Sequence, residues 1–332
     1  MLFFFLLITI NFFFIIFKDI IFISLNIYDK PNNILKKHKS KVPILGGLQI
    51  FINISILFLY YIFTAKNLEL EFFLIYFTSA ILFLVGLLDD KYSINPNLRL
   101  FSIICLITLF LFYENNYLIN NIEFKSLSLN LDISSFNFFF TILCFALFIN
   151  ALNMFDGINL QSGLYGILFC LFYLTLDPNN ILLIVIIISL LFHLYLNAKN
   201  QSFLGDGGVY ILGFLLSIIS IKLFKQKRIF CDEILLIMAI PGYDMFRLFL
   251  KRIFKFQSPF KGDLKHIHHL IKFSTSESIA LLIIFSLICI PLFFYYVHFN
   301  LLIILLLQFL LYVVVIVTFE IKFKNNEKKY YR

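Results

Sequence analysis

The chain has 332 residues, of which 61% are hydrophobic and 14% charged, with a mean hydropathy of +0.95 and a formal net charge of +8. Apolar runs of membrane-spanning length recur along it, which excludes a soluble globule and describes an all-α polytopic integral membrane protein partnered by a lipid bilayer, not by nucleic acid. The five cysteines (Cys105, Cys144, Cys170, Cys231, Cys289) lie scattered in apolar runs without a CxxC pair, so they read as packing residues and not as a metal knuckle.

The first apolar run, 3–24, lacks an upstream basic segment and a small-residue cleavage site, and is expected to stay as a helix. "DKPNNILKKHKSKVPILGG" follows, with Lys36, Lys37 and His38 ahead of Pro43 and Gly46–Gly47. By itself this is a basic loop facing anionic headgroups, with glycines that permit close helix packing. Helices over 44–64 and 71–88 come next, the second ending in "VGLLDDKYS". A carboxylate pair at a helix end is most simply solvated. Yet Asp opposes the macrodipole there and neighbouring carboxylates repel, so Asp89 and Asp90 are easiest to understand beside a cation.

A helix over 98–113 and a polar gap from Glu114 to Ser135 precede the helix 136–152, which runs into "NALNMFDGINLQSG". Asn150, Asn153 and Asp156 recur every three residues along one side. Capping explains one or two of them; three polar groups on one stripe at a membrane edge point to a ligand. After helices over 162–177 and 181–197, "FLGDGGVYILGF" opens the helix 208–222. Gly205, Gly207 and Gly208 allow close backbone approach, and Asp206 is an N-cap in the simple reading. A glycine-rich helix start also suits phosphate, and an Asp beside it suits a Mg²⁺ bridging that phosphate.

The helix 233–250 leads to 251–277, read as a loop that holds His266, His268 and His269, three of the six histidines. Zinc would need partners that the spacing lacks, and a plain polar loop is the bland alternative. With Lys251, Arg252, Lys255, Lys261 and Lys265 nearby, a donor-rich patch for a phosphorylated substrate is preferred. Helices over 278–297 and 301–319 close a set of about eleven, each long enough for a ~30 Å hydrocarbon core. Neither a soluble domain nor a long linker is visible, so 1–332 is expected to be a single membrane-embedded domain.

Orientation follows from loop charge. With the N-terminus outside, one face receives Lys36, Lys91, Arg99, Lys199, Lys251, Lys265 and the basic C-terminal tail; the other receives chiefly Lys66, Lys125 and a cluster from Lys222 to Arg228. The first face is then cytoplasmic, and the acids, amides and histidines above all fall on it. Together they suit a divalent cation, phosphates and a lipid, hence phosphoryl transfer. The rival is a transporter or channel with an acidic cytoplasmic site, which predicts charges near helix midpoints, where Lys18 and Asp19 stand.

These motifs, in order from Asp29 to Leu270, resemble the polyprenyl-phosphate N-acetylhexosamine-1-phosphate transferases, a glycosyltransferase family 4 group related to phospho-N-acetylmuramoyl-pentapeptide transferase. The segments are "DKPN" with "KKH" and "PILGG", "GLLDDKYSINPNLRL", "NALNMFDGI", "FLGDGGVYILGF" and "PGYDMFRLFLKRIFKFQSPFKGDLKHIHHL". "HIHH" after "QSPFKGD" resembles the branch that uses UDP-N-acetylglucosamine to begin O-antigen, common antigen or teichoic acid linkage units. The resemblance implies a bacterial inner-membrane enzyme that moves sugar-1-phosphate from a UDP-N-acetylhexosamine to polyprenyl (undecaprenyl) phosphate, with Mg²⁺, or Mn²⁺ in its place. It implies catalytic roles for Asp89, Asp90 and Asp156, metal binding by Asp206 with Asn153, and substrate binding by Asn150, Lys36, His38, Arg99, Arg252, His266, His268 and His269. Relatives are often homodimers. The chain departs from the pattern at Leu35, at "DGINLQSG", where Asn159 replaces an acid, and at Val209, where a Ser is usual.

Overall fold

A computed structural model describes residues 2–25, 27–29, 41–64, 69–257 and 265–330. Its elements are α1 (Leu2–Leu25), β1 (Tyr28–Asp29), β2 (Val42–Pro43), α2 (Gly46–Thr64), α3 (Leu70–Tyr92), α4 (Pro96–Tyr113), β3 (Asn121–Phe124), β4 (Leu129–Asp132), α5 (Asn137–Phe155), α6 (Gln161–Leu176), α7 (Ile181–Ala198), α8 (Gly205–Lys225), α9 (Cys231–Ile253), α10 (Ile267–Ser274), α11 (Glu277–Tyr296) and α12 (Leu301–Tyr330). Each expected helix is present. Among the described residues nine helices are long and apolar enough to cross a membrane. Of the other expected spans, α6 has 16 residues, and α9 carries Asp232, Glu233, Asp244, Arg247, Lys251 and Arg252. The fold is that of an all-α polytopic membrane protein.

Besides the short antiparallel β1–β2 pair, two features were not anticipated. The gap before α5 holds an antiparallel hairpin, β3 against β4, with Asn121 opposite Asp132 and Phe124 opposite Leu129. The segment 251–277, read as a loop, contains α10, whose Ile267, Leu270 and Ile271 are buried at the spacing of one helical face.

The chain divides into two compact units, one of Met1–Leu118, Phe138–Asn153 and Asn159–Lys222, the other of Ile119–Asn137, Met154–Ile158 and Leu223–Arg332. In the first, α8 is the core helix, buried without a break from Val209 to Leu216. Small residues let its neighbours close on it, since association in lipid rests on van der Waals packing of near backbones. A Cβ at Gly47 of α2 or at Gly86 of α3 would strike the backbone at Gly208 or Gly207, and one at Gly213 would press Ile149 of α5. Phe110 of α4 sets its ring 5.4 Å from Phe214, and Tyr173 of α6 donates to Ser220 at 2.7 Å. Between α1 and α2, Asn11, Gln49 and Asn53 form a buried amide cluster with contacts of 2.8–3.1 Å.

In the second unit α9, α11 and α12 pack together, and Gln308 of α12 donates to the carbonyls of Leu236 and Leu287. α10 lies on α11 and α12. The outward faces of α1 and α12 expose residues such as Phe5, Ile16, Leu306 and Val314, a surface fit for hydrocarbon.

Candidate active site

In the first unit, α3 ends where Ser93 turns left-handed (φ 53°) and its N–H closes on the Asp89 carbonyl at 2.7 Å. The Asp89 side chain, buried here, accepts from Ile94 N–H at 2.8 Å, from Arg99 Nη1 at 3.0 Å and from the Tyr210 hydroxyl at 3.1 Å. Asp90 does something different. Its carboxylate accepts the backbone N–H groups of Asp206 (3.0 Å) and Gly207 (3.4 Å), so an acid of α3 caps the start of α8, where the helix dipole favours negative charge. Gly205, at φ +74°, makes this approach possible: a Cβ there would overlap Ile44 and crowd Asp90 Oδ2. The first N–H groups of α8 are therefore engaged by Asp90 and the glycines by helix packing.

Asp206 itself lies with its Oδ2 4.0 Å from Arg99 Nη1. Three carboxylates and one guanidinium thus gather at the meeting of α3, α4 and α8, a concentration of negative charge that Arg99 offsets in part. Among the described residues no group of three His, Cys, Asp or Glu is placed to hold a metal ion. Mg²⁺ seldom uses such a group; it takes one or two carboxylates and completes its shell with water and substrate phosphates. Asp206, which also hydrogen-bonds Asp89, offers a carboxylate of the kind such an ion takes. Asn150 and Asn153 sit half-buried on the last turns of α5 in the same unit.

The altered turn after α5 has a structural account. Asn159 donates to Asn200, and Leu160, at φ +68°, gives its N–H to Asn197 Oδ1 at 2.6 Å. Where an acid is usual, the chain uses an amide to tie this turn to the end of α7.

In the second unit, the Asp156–Gly157 segment meets α10. A Cβ on Gly157 would overlap His268 Nε2, so the glycine leaves room for that ring. His266 and His268 stack at 5.6 Å, and His269 lies edge-on to His268 at 4.2 Å. Burial, reinforced by His269 and His266, holds the His268 imidazole well below its ordinary value and keeps it neutral. Arg252 is buried at the end of α9. Lys36 and His38 lie outside the described residues. The structure adds residues that the motifs alone did not single out: Tyr210, one turn beyond Asp206, and in the second unit Asp244 and Arg247.

A model of glycosyl transferase family 4 matches residues 72–224, which include Asp89, Asp90, Asp156 and Asp206. Over that span the chain is similar to glycosyl transferase family 4. It is similar to the undecaprenyl-phosphate alpha-N-acetylglucosaminyl 1-phosphate transferase of Escherichia coli O157:H7, 28% identical over 266 residues that cover 75% of this chain and 70% of that protein. The Yersinia pestis protein of the same name is 28% identical with the same coverage. A probable undecaprenyl-phosphate N-acetylglucosaminyl 1-phosphate transferase of Bacillus subtilis is 28% identical over 275 residues, 79% of this chain and 75% of its own. In this chain the aspartates of α3 and α8 converge in one unit, and the "DG" turn and the histidines converge in the other.

Proposed function

We propose that this protein is a member of glycosyl transferase family 4 that transfers N-acetylhexosamine 1-phosphate, and specifically N-acetylglucosamine 1-phosphate, from a UDP-sugar to polyprenyl phosphate at the cytoplasmic face, beginning an envelope glycan. The observation that carries this reading is the Asp89–Asp90–Asp206 cluster with Arg99 between Asp89 and Asp206. The names of the relatives supply the substrate classes.

The reaction makes a bond from an oxygen of the lipid phosphate to the β-phosphorus of the donor and breaks the bond from that phosphorus to the bridging oxygen, which leaves with UMP. Two anions must approach, and their repulsion is a large part of the barrier. Asp206, with Asn153, would hold Mg²⁺, which when bound supplies positive charge to the diphosphate oxygens. Asp90 keeps the start of α8, and hence Asp206, in place. Asp89 orients Arg99, a fixed cation with planar donors that suit phosphate. A lipid phosphate monoester, with a second pKa of about 6, is mostly dianionic at neutral pH, so Asp89 and Asp90 serve better as positioning groups than as an obligatory base. Arg252, His266, His268 and His269 are assigned to the donor's phosphates and sugar.

UMP release from purified protein given polyprenyl phosphate and UDP-N-acetylglucosamine tests the reading. Release should require both substrates and stop on chelation of Mg²⁺. Asp206→Ala should lower turnover at least about a hundredfold with the fold intact; full activity in that variant removes the metal assignment. Release with a different UDP-sugar alone would keep the reaction and change the donor.

A further inference from the structure

Asp244 stands in α9, buried, with donors on both carboxylate oxygens. Oδ1 accepts from Arg247 Nη2 at 2.8 Å, from the Ile267 N–H at 3.2 Å and from the Tyr312 hydroxyl at 3.2 Å; Oδ2 faces His266 Nδ1 at 2.9 Å. Arg247 extends the cluster, donating to Glu320 at 2.7 Å, to the Lys265 carbonyl at 2.6 Å and to Tyr312 at 3.1 Å, while Lys251 shares Glu320 at 2.7 Å. All of these residues belong to the second unit.

An ionised carboxylate only accepts hydrogen bonds. Beside Arg247, Asp244 therefore demands a proton on Nδ1 of His266 and selects one of the two neutral tautomers, leaving Nε2 as the chemically distinct second nitrogen. The same carboxylate takes the N–H of Ile267, one of the helix-start groups that has no intrahelical partner. Ring and helix start are thus held by one side chain, and Arg247 grips the carbonyl of the residue before His266. We infer that Asp244 is a positioning residue for His266, clamped by Arg247, and that it sets the imidazole tautomer with which the protein meets the donor diphosphate. The substrate part rests on the transferase reading; the tautomer part rests on the geometry alone.

Nitrogen-15 labelling of the six histidines, with His266→Gln to assign the signal, reads the tautomer without any substrate. The wild type should show Nδ1–H at His266, and Asp244→Asn should lose it. In the transfer assay Asp244→Asn should raise the KM for UDP-N-acetylglucosamine about tenfold or more, as loss of a partner that orients a ligand-holding histidine does, with a smaller change in kcat. Placed on His266→Gln, Asp244→Asn should add little, because its effect passes through that ring. Arg247→Lys should act in the same direction more weakly and serves if Asp244→Asn does not fold. An Nε2–H tautomer in the wild type overturns the inference. So does an Asp244→Asn effect on KM that is equally large with and without His266, which would mark a merely structural role. Lack of transfer by the wild type counts against the transferase reading, while the spectrum still decides the role of Asp244.

Discussion

Gly157 and His268 show how much one missing side chain can decide. The ring occupies the space a Cβ would take, so Gly157→Ala should cost about 1–3 kcal/mol by overpacking and displace α10. A lower thermal midpoint together with a raised donor KM would be the expected result; an unchanged midpoint would mean that the ring yields. His268 also makes the fold sensitive to acid. Its folded value is depressed by burial below the ordinary 6.5, so between the two values the unfolded chain binds a proton that the folded imidazole refuses. Stability from this group is complete above 6.5 and falls as the pH drops below it. A thermal midpoint measured across that range should decline toward acid, and His268→Gln should flatten the decline. The aspartate pair Asp89–Asp90 was legible as two acids in need of a cation. Their division of labour was not, because it depends on Arg99, Tyr210 and the start of α8, which are distant in sequence or on other helices.

The helices were legible to within about four residues at each end, apart from the C-terminal end of α12, which runs on from the expected 319 to Tyr330, since an apolar run of spanning length has few alternatives in lipid. The β3–β4 hairpin was not, although Leu127, Leu129, Leu131 and Ile133 alternate with polar residues at the period of a strand. Tertiary contacts anchor it. The N–H groups of Lys125 and Ser126 donate to Asp232, and Lys125 Nζ reaches Glu233, which also accepts from Tyr295. Buried Asp232 and Glu233 at the start of α9 thus fasten the hairpin turn and favour the helix dipole at once. Replacing Asp232 with Ala should leave those two N–H groups without their acceptor, cost about 1–3 kcal/mol and speed trypsin cleavage after Lys125 in intact protein. Unaltered cleavage would show that the strands hold themselves. For the packing of α3 on α8, Gly86→Ala places a methyl against the Gly207 backbone and should lower both stability and transfer, by about 1–3 kcal/mol in the former.

Across the molecule, the asymmetry of loop charge predicts one orientation. In a cysteine-free background, a cysteine at Lys227 should react with an impermeant maleimide added outside intact cells, and one at Lys199 should react only after the membrane is opened. The reverse pattern would place the aspartates on the outer face and remove the nucleotide-sugar reading, since that donor is made inside the cell. The sequence alone determined that the chain is a helical membrane protein and which family it resembles, because lipid enforces long apolar helices and the motifs are local. Only the tertiary structure decided which acid caps a helix, which one pairs with Arg99, and which aspartate holds a histidine, because those outcomes depend on the positions of groups on separate elements.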